Sequence, residues 1–259
     1  MNAFKFVLTT ELRLRDNLNM FNTGGPKTKG EQTRDLLFQT ALKLFREKGF
    51  EPTTMREIAA HAKTALGAAY YYFPSKEAIV QAYYQNVQEE HSRRVREALA
   101  KKNLTLKERL RIATHTKLDV IAGDRQLLGT IFRYAGEPEH PLSCLGPATR
   151  DVRAASIATL AEAIGEEPLP KDIAQLLPMA LWALHMAIMV YFIYDSSPQQ
   201  QRTRKLVDAA LELTMRLIAL AKFPLMKPFR GKLLALLRSA DLLPQLEPIR
   251  QLQAVGGQS

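Results

Sequence analysis

The chain of 259 residues is 46% hydrophobic and 24% charged, which is ample for a buried core and fits a soluble protein of one large or two modest domains. Its formal net charge of +10 favours a polyanionic partner, nucleic acid before a membrane surface. The single cysteine, Cys144, excludes an intramolecular disulfide and a cysteine-rich zinc site, and it fits a reducing cytoplasm.

The first residues form a polar leader. Thr9, Thr10 and Glu11 interrupt its apolar run, so we expect no signal peptide. The glycine-rich stretch GGPKTKG is typical of a flexible arm, and we expect residues 1–27 to be a flexible leader. Met20 begins a stretch that is typical of a start, so the first nineteen residues are either an extension before the true start or a disordered leader.

Helix signals follow along nearly the whole chain, whereas alternating apolar runs bounded by hairpin turns are absent. Four segments fit a capping box that starts a helix: Thr28 to Glu31, Thr54 to Glu57, Thr105 to Glu108 and Ser197 to Gln200. Gly49 and Gly165 stand where helices end. The sequence therefore predicts an all-α fold.

The predicted helices lie at 29–48, 55–61, 65–72, 75–100, 106–121, 125–135, 148–164, 171–194, 198–222 and 228–241. The second and third are short, are joined by a tight turn and follow a longer helix with one apolar face. Small inward residues of the second, Ala59 and Ala62, allow another helix to approach closely. This arrangement predicts a helix-turn-helix DNA-binding unit.

The stretch AAYYYFPSKEA at 68–78 places three tyrosines beside a chain break. No aspartate or glutamate occurs between Ile58 and Lys76, so nothing there repels a phosphate backbone. Tyrosine offers a hydroxyl to phosphate and an apolar ring to thymine methyl groups, and Ser75 begins the next helix with free N–H groups. Since helical neighbours point about 100° apart, we expect Tyr72 and Phe73 to pack inward.

These residues carry a family resemblance. The segment TTMREIAAHAKTALGAAYYYFPSKEAI, with ALKLFREKGF before it, resembles the N-terminal domain of the tetracycline-repressor (TetR) family of bacterial transcriptional regulators over about residues 33–80. The resemblance implies a DNA-binding surface formed by the following residues: Thr54, Arg56, Leu66, Gly67, Ala68, Tyr70, Tyr71 and Lys76.

The chain departs from the family pattern at several of these positions. Members commonly have Gly at the position of Lys63, a Ser-Lys or Ser-Arg pair at Ala65 and Leu66, and Thr or Ser near Ala68. Fewer hydrogen-bonding side chains are left to read bases. We expect base selection to depend on apolar contact with thymine, on Arg56, on Tyr71 and on DNA shape.

Residues 173–194 carry no charge and are long enough to cross a membrane. The other interpretation is a helix buried on all sides, which Gln175, Pro178 and His185 favour, and we expect no membrane contact. The resemblance implies a homodimer in which helices near 171–194 and 198–222 form a four-helix bundle. Apolar residues recur at helical spacing on the second helix: Leu206, Ala210, Leu213, Leu217 and Leu220.

A ligand cavity is expected between residues 106 and 194, since the family is typically ligand-responsive. Large apolar side chains with polar tips are its candidate wall, although residues at such spacing are more often plain core: His115, Phe132, Tyr134, Trp182, His185 and Met186. A hydrophobic or aromatic compound would suit these walls. We expect no catalytic residue, cofactor or metal, because phosphate-loop, nucleophile-elbow and zinc-helix motifs are absent and the cluster Glu137, Glu139, His140, Cys144 lacks ligand spacing.

The expected division is a leader (1–27), a DNA-binding domain (28–76), a ligand-binding and dimerisation domain (77–222) and a C-terminal extension (223–259). We predict a cytoplasmic repressor released from a palindromic operator on double-stranded DNA when a small hydrophobic ligand binds. The alternative is a ligand-independent DNA-binding dimer controlled by a protein partner. The apolar segment LLALLRSADLL at 233–243 is expected to cap the cavity, extend the dimer interface or contact another protein.

Overall fold

A computed structural model describes residues 27–100 and 103–239, and it is helical, with no strand in those two ranges. Ten α-helices occur there: α1 (Lys29–Lys48), α2 (Met55–His61), α3 (Leu66–Tyr72), α4 (Lys76–Leu99), α5 (Leu106–Ile121), α6 (Arg125–Ile131), α7 (Arg150–Ile164), α8 (Lys171–Tyr194), α9 (Gln201–Ala221) and α10 (Lys227–Ser239). Short 3₁₀ turns precede or follow several of them. The predicted all-α fold is confirmed.

Three of the four predicted capping boxes form. The side chains of Thr28, Thr54 and Thr105 each accept a hydrogen bond from the backbone N–H three residues later, and the glutamate at that position bonds back to the cap. Each box satisfies two backbone donors that a helix start otherwise leaves free. The predicted helix ends at Gly49 and Gly165 also form, and both glycines have positive φ.

The capping box predicted at Ser197 to Gln200 is wrong. Gln199 and Gln200 both have a φ of 52°, so α9 starts only at Gln201. Asp195 takes the capping role, because its buried carboxylate accepts hydrogen bonds from the N–H groups of Ser197 and Thr203 and from the Thr203 hydroxyl. Burial raises the pKa of Asp195, but these hydrogen bonds outweigh burial and hold the pKa below its usual range.

The first three helices pack as the apolar pattern predicts. Leu37, Phe45 and Ile58 are fully or almost fully buried where α1 meets α2. Phe73 is buried too and stacks on Phe38 of α1 with ring centroids 6.3 Å apart, as predicted. Tyr72 is only partly buried: it packs against the edge of the core, and its ring contacts Tyr71 edge-on with centroids 5.0 Å apart.

The longest part of the fold is a helical bundle built on α4. This helix starts at the Ser75 cap beside α3 and runs on to pack against α5 and α7. Helix α8 lies against α7 and α9, and α9 also contacts α5. Because α4 belongs to both halves of the molecule, any change in its tilt moves the DNA-binding helices relative to the bundle.

Helix α8 is long and apolar enough to cross a membrane by length and composition, and 44% of its most apolar stretch is buried inside the protein. Trp182, His185 and Phe192 face inward. The expectation of a helix buried on all sides is wrong for the single chain, because one face is exposed. That face carries small residues followed by aromatic ones: Ala180, Ala183, Ala187, Tyr191 and Tyr194.

The described part of the tail forms α10, which packs on α8 through an ion pair between Arg230 and Asp172, with Nε and Oδ2 2.5 Å apart. Phe229, Leu233 and Leu236 on α10 are exposed. Residues 240–243 of the predicted apolar segment lie outside the described residues, as do the leader up to residue 26 and the start at Met20.

Candidate DNA-binding surface and ligand cavity

Helices α2 and α3 expose most of the residues predicted to contact DNA. Thr54, Arg56 and Gly67 are exposed, and the rings of Tyr70 and Tyr71 are 49% and 82% exposed. In the described chain, the side chain of Arg56 has no ion-pair or hydrogen-bond partner, and a side chain added at Gly67 would meet open space. These groups form a polar and aromatic surface that is open to a ligand as large as DNA.

Leu66 and Ala68 are half-buried, and Leu66 packs against the core below α3. Ala65, at the helix cap, offers no side-chain hydrogen bond to the start of α3. The serine or threonine that commonly stands in this region of the family would add polar groups there. The start of α3 therefore offers few side-chain hydrogen-bonding groups, as the sequence predicts.

Lys76 has contacts within the protein that the sequence did not predict. Its Nζ donates to the carbonyl oxygens of Phe50 and Glu51 at 2.9 and 3.1 Å and lies 4.5 Å from the centre of the Phe50 ring. Two of its three N–H donors thus hold the turn between α1 and α2 against the start of α4. The phosphate contact of Lys76 stays a prediction, and the donors already used favour a positioning role.

The backbone conformation of Lys63 shows why glycine is common at this position in the family that the sequence resembles. Its φ is 53°, in the left-handed region that favours glycine. This conformation lets the Thr64 N–H bond to the Ala59 carbonyl at 2.9 Å, which turns the chain sharply from α2 into α3. The family's usual glycine is thus a conformational requirement, and this chain meets it with a lysine under strain.

The bundle contains a cavity of about 100 Å³ between α4, α5, α6, α7 and α8. This volume is smaller than the roughly 300–1,000 Å³ of drug-sized ligand sites, so a ligand of that size has to widen the cavity. Most of its wall is apolar, and Val87, Ile121, Leu128, Trp182 and Met189 form much of it.

Four of the six residues predicted for the cavity line it: Phe132, Trp182, His185 and Met186. The prediction was wrong for His115, which lies about 200° around α5 from the cavity-lining Lys117. His115 instead lies 3.0 Å from an Asp208 carboxylate oxygen, in the groove between α5 and α9. Which face of α5 meets the cavity depends on packing that the sequence alone does not reveal.

Tyr134 is the second wrong prediction, because it turns away from the cavity toward the DNA-binding helices. Its ring contacts Phe50 edge-on, with centroids 6.2 Å apart, and stacks on His140 at 4.1 Å. It follows the cavity-lining Phe132 in a 3₁₀ turn, so the two side chains point in different directions. Tyr134 is therefore a contact between the two halves of the molecule.

A buried polar chain is the main feature that sequence reasoning missed. Lys117 is 6% exposed and its Nζ donates to the Gln88 side-chain oxygen at 2.8 Å. Gln88 in turn donates to Ser92 and Thr159 at 3.0 and 3.1 Å. Burial lowers the pKa of Lys117 to about 7. The signal that could have found it is its place on the apolar stripe of α5, four residues before Ile121.

Two buried histidines lie beside Lys117. His91 donates through Nε2 to the Ala113 carbonyl at 2.8 Å, and its ring lies 6.1 Å from that of His185. Within the described structure, neither ring nitrogen of His185 has a hydrogen-bond partner. Burial, followed by the nearby Lys117 charge, lowers the pKa of His185 to about 3 and that of His91 well below its usual value. Both rings are neutral at physiological pH.

A second buried cluster joins the cavity to the DNA-binding helices. Tyr83 lines the cavity on α4 and donates its hydroxyl to Asp124 at 3.0 Å. The other carboxylate oxygen of Asp124 accepts hydrogen bonds from Arg46 on α1, with Nε at 2.7 Å. One carboxylate therefore connects the cavity wall to the helix that supports α2 and α3.

The side chains of the types that bind metals are dispersed in the described part of the chain. Across residues 27–100 and 103–239, no group of three or more histidine, cysteine, aspartate or glutamate side chains lies close enough to hold an ion. In the predicted cluster, His140 stacks on Tyr134 and Cys144 lines the cavity, where burial raises the pKa of its thiol.

Several solved structures share this fold at low identity. A putative TetR-family regulator from Syntrophomonas wolfei matches with a TM-score of 0.58 and 18% identity, covering 71% of this chain and 95% of that one. The TetR regulator from Nitrosomonas europaea gives 0.55 and 20%, covering 70% and 96%. Thermus thermophilus FadR, a TetR-family repressor solved with lauroyl-CoA, gives 0.53 and 24%, covering 72% and 93%.

Sequence comparison identifies the family. The uncharacterized HTH-type transcriptional regulator YuxN of Bacillus subtilis is 48% identical over 50 residues, which span 19% of this chain and 17% of that protein's length. The model of bacterial regulatory proteins of the tetR family matches residues 37–83, and that of the tetracyclin repressor-like C-terminal domain matches residues 109–230. The chain therefore belongs to the TetR family of DNA-binding transcriptional regulators.

Proposed function

We propose that this protein is a homodimeric repressor that leaves its operator when a small hydrophobic ligand enters the bundle cavity. The observation that carries this proposal is the shared helix α4, which lines the cavity with Tyr83, Tyr84 and Val87 and begins at the DNA-binding surface. A ligand that prefers one tilt of α4 shifts the population toward that tilt. Reciprocity requires that operator binding weaken ligand binding equally.

The DNA contacts proposed are those exposed on α2 and α3. Arg56 and Tyr71 carry base selection and Tyr70 a phosphate contact, since their side chains are open to solvent. Thr54, Gly67, Leu66 and Ala68 bring the backbone close to DNA. We propose 28–76 as the DNA-binding domain, 77–222 as the regulatory domain and 223–259 as an extension.

The proposed dimer uses α8 and α9. Leu213, Leu217 and Leu220 on α9 are more than half exposed, next to the open alanine face of α8. A contiguous apolar surface of this kind is costly in water and marks an interaction site. Two-fold pairing presents two α3 helices to successive major grooves, so the operator is roughly palindromic.

The release of DNA is proposed to pass through two contacts. Tyr83 and Asp124 connect the cavity to Arg46 on α1, and Lys76 holds the turn before α2 to the start of α4. A ligand that displaces Tyr83 breaks its hydrogen bond to Asp124. The contact of Lys76 then transmits a change in the tilt of α4 to the turn before α2. The lauroyl-CoA bound to Thermus FadR supports a ligand-responsive mechanism in this fold.

The experiment that tests the proposal is fluorescence anisotropy with non-coding DNA flanking the gene, against scrambled DNA of equal length, at two salt concentrations. We expect preference for the native segment that survives higher salt, and release by at least one of decanoate, decanol and lauroyl-CoA. Equal and steeply salt-sensitive binding to both DNAs at every flanking segment would contradict sequence readout.

Arg56→Ala is expected to weaken binding to the native segment about tenfold or more, because a good base contact contributes about 1–3 kcal/mol of discrimination. The matched control is Arg96→Ala, which removes an exposed arginine from the far part of α4. Loss of binding in both variants by the same factor would show a general charge effect and would remove Arg56 from base readout.

The alternative is a ligand-independent dimer governed by a protein partner. It is favoured by the exposed apolar residues of α10, Phe229 and Leu236, which no described helix covers. On this alternative, none of the three ligands changes operator affinity although the protein binds its operator specifically. The same anisotropy titration therefore separates the two functions.

A further inference from the structure

The cavity wall combines an apolar surface with positive charge. Lys117 and Arg153 both line it, whereas none of the described residues that line it is aspartate or glutamate. Arg153 donates to the carbonyl oxygens of Cys144 and Gly146. Lys117 has only the neutral Gln88 oxygen as partner among the described residues. Burying an ammonium without an anion is unfavourable, and an anionic group from outside the chain would compensate its charge.

His185 is a second buried polar side chain in the same cavity, and this one lacks a hydrogen-bond partner within the described structure. It is 4% exposed, and in the described structure both of its ring nitrogens are without a partner. A neutral imidazole carries one N–H donor, and leaving a buried donor unpaired is unfavourable. Lys117 lies close enough to lower the pKa of His185 by its charge. A single acceptor group between them can satisfy both donors.

We propose that the cavity binds a monoanionic amphiphile, an apolar chain or ring system ending in one carboxylate whose oxygens accept hydrogen bonds from Lys117 Nζ and the N–H of His185. The apolar body packs on Trp182, Met186 and Phe132, which line the same cavity. One carboxylate balances one ammonium, whereas the several phosphate charges of an acyl-CoA find only Arg153 as a further cation there. This inference names the ligand class of the proposed function and rests on its cavity.

The test is calorimetric titration of the full-length protein with decanoate, decanol and decylamine, which share an apolar chain and differ in the head group. We expect decanoate to bind at least tenfold more tightly than decanol and decylamine to bind least. Equal affinity for all three would overturn the proposal, as would tighter binding of lauroyl-CoA than of decanoate.

Variants of Lys117 locate the site. Lys117→Met is expected to lose the preference for decanoate while it still binds decanol, and Lys117→Arg is expected to keep the preference. The control Lys43→Met removes a surface lysine that is 72% exposed and is expected to behave as wild type. Circular dichroism melting checks that each variant folds. A folded Lys117→Met protein that still prefers decanoate would overturn the assignment.

The affinity for decanoate is expected to fall about tenfold per pH unit above about pH 7, because burial lowers the pKa of Lys117 to about 7 and the neutral amine no longer attracts a carboxylate. The other groups facing it do not titrate there: His91 and His185 are already neutral, and burial raises the pKa values of Tyr83, Tyr84 and Cys144. Lys117→Arg should give a flat profile between about pH 6 and about pH 9, and an equally steep fall there would contradict the role of Lys117.

Operator affinity measured in the same samples separates this inference from the proposed function. Decanoate that binds without releasing DNA would leave the site assignment standing and overturn ligand-controlled release. Release by decanol or lauroyl-CoA without binding of decanoate would overturn the ligand class and leave release standing.

Discussion

Single residues in this protein carry two kinds of unfavourable energy. Lys63 adopts a left-handed backbone conformation, which costs a residue with a Cβ atom about 1–2 kcal/mol. Lys117 places an ammonium inside an apolar wall, at a cost in solvation. The backbone strain at Lys63 follows from the tight turn between α2 and α3. The burial of Lys117 is expected if the cavity binds a ligand of opposite charge.

Lys63→Gly is expected to raise the free energy of unfolding by about 1 kcal/mol, because glycine adopts the left-handed conformation freely and this gain exceeds its entropy cost in the unfolded chain. The measurement is urea unfolding followed by circular dichroism. Lys63→Ala is the control, since it removes the same charge but keeps the Cβ atom. A gain in the alanine variant as large as in the glycine variant would assign the effect to charge.

At the scale of elements, α4 is the helix that lines the bundle cavity and begins beside the proposed DNA-binding surface. Its start is held to the turn before α2 by Lys76, and about two turns further on its Tyr83 faces both the cavity and Asp124. Because α4 is held at these two points, a change in its tilt alters the positions of both proposed domains relative to each other. The contact of Tyr134 with Phe50 adds a third point from the bundle side.

Tyr83→Phe is expected to preserve ligand binding and to reduce ligand-induced release of DNA at least fivefold, because the ring stays in the cavity wall while the hydroxyl that bonds to Asp124 is lost. The measurement is the ratio of operator affinities with and without decanoate. Tyr84→Phe is the matched control on the next residue of the same wall. An unchanged ratio in Tyr83→Phe would remove this hydrogen bond from the coupling.

The helices were predictable from sequence because caps and apolar spacing are local properties. Thr54 caps α2 through a glutamate only three residues away, so the pattern alone was sufficient. At Ser197 the same pattern failed, because the buried carboxylate of Asp195 takes the cap and the two glutamines between turn left-handed. A capping pattern predicts a helix start only where no neighbouring side chain outside the pattern competes for the same backbone donors.

The site was less predictable because it depends on which face of each helix turns inward. Phe132, Trp182 and Met186 followed from their size, whereas His115 and Tyr134 lie on other faces. Lys117 was missed because a lysine is almost always expected at the surface. Its place on the apolar stripe of α5 is a signal of burial, but only the helices packed around it show that the side chain is buried.

At the scale of the whole molecule, the main feature is the apolar surface that α8 and α9 leave exposed to water in the single chain. The leucines of α9 and the alanine face of α8 lie side by side and are open to water in the single chain. Exposed apolar side chains grouped on two helices that contact each other are typical of an interaction site. Pairing of two chains through this surface would bury it and fix the distance between two DNA-binding surfaces.

Leu217→Asp is expected to shift the protein from dimer to monomer and to weaken operator binding at least tenfold, since a charge at the centre of the proposed interface must be desolvated without a partner. Sedimentation velocity measures the assembly state. Leu36→Asp places the same charge on an equally exposed leucine of α1 and should remain dimeric. A dimer that persists in Leu217→Asp would move the interface elsewhere.

Helix α8 presents two separate sets of side chains. Trp182, His185 and Met186 face the cavity, and Ala183 and Ala187, each next to one of them along the chain, face outward. Neighbouring residues of a helix point about 100° apart, so substitutions in one set leave the other largely unchanged. On the proposed dimer, natural variation can therefore alter which molecule is sensed while the spacing of the two DNA-reading helices stays constant. Such a helix lets a lineage of regulators diversify its signals without having to evolve new operators.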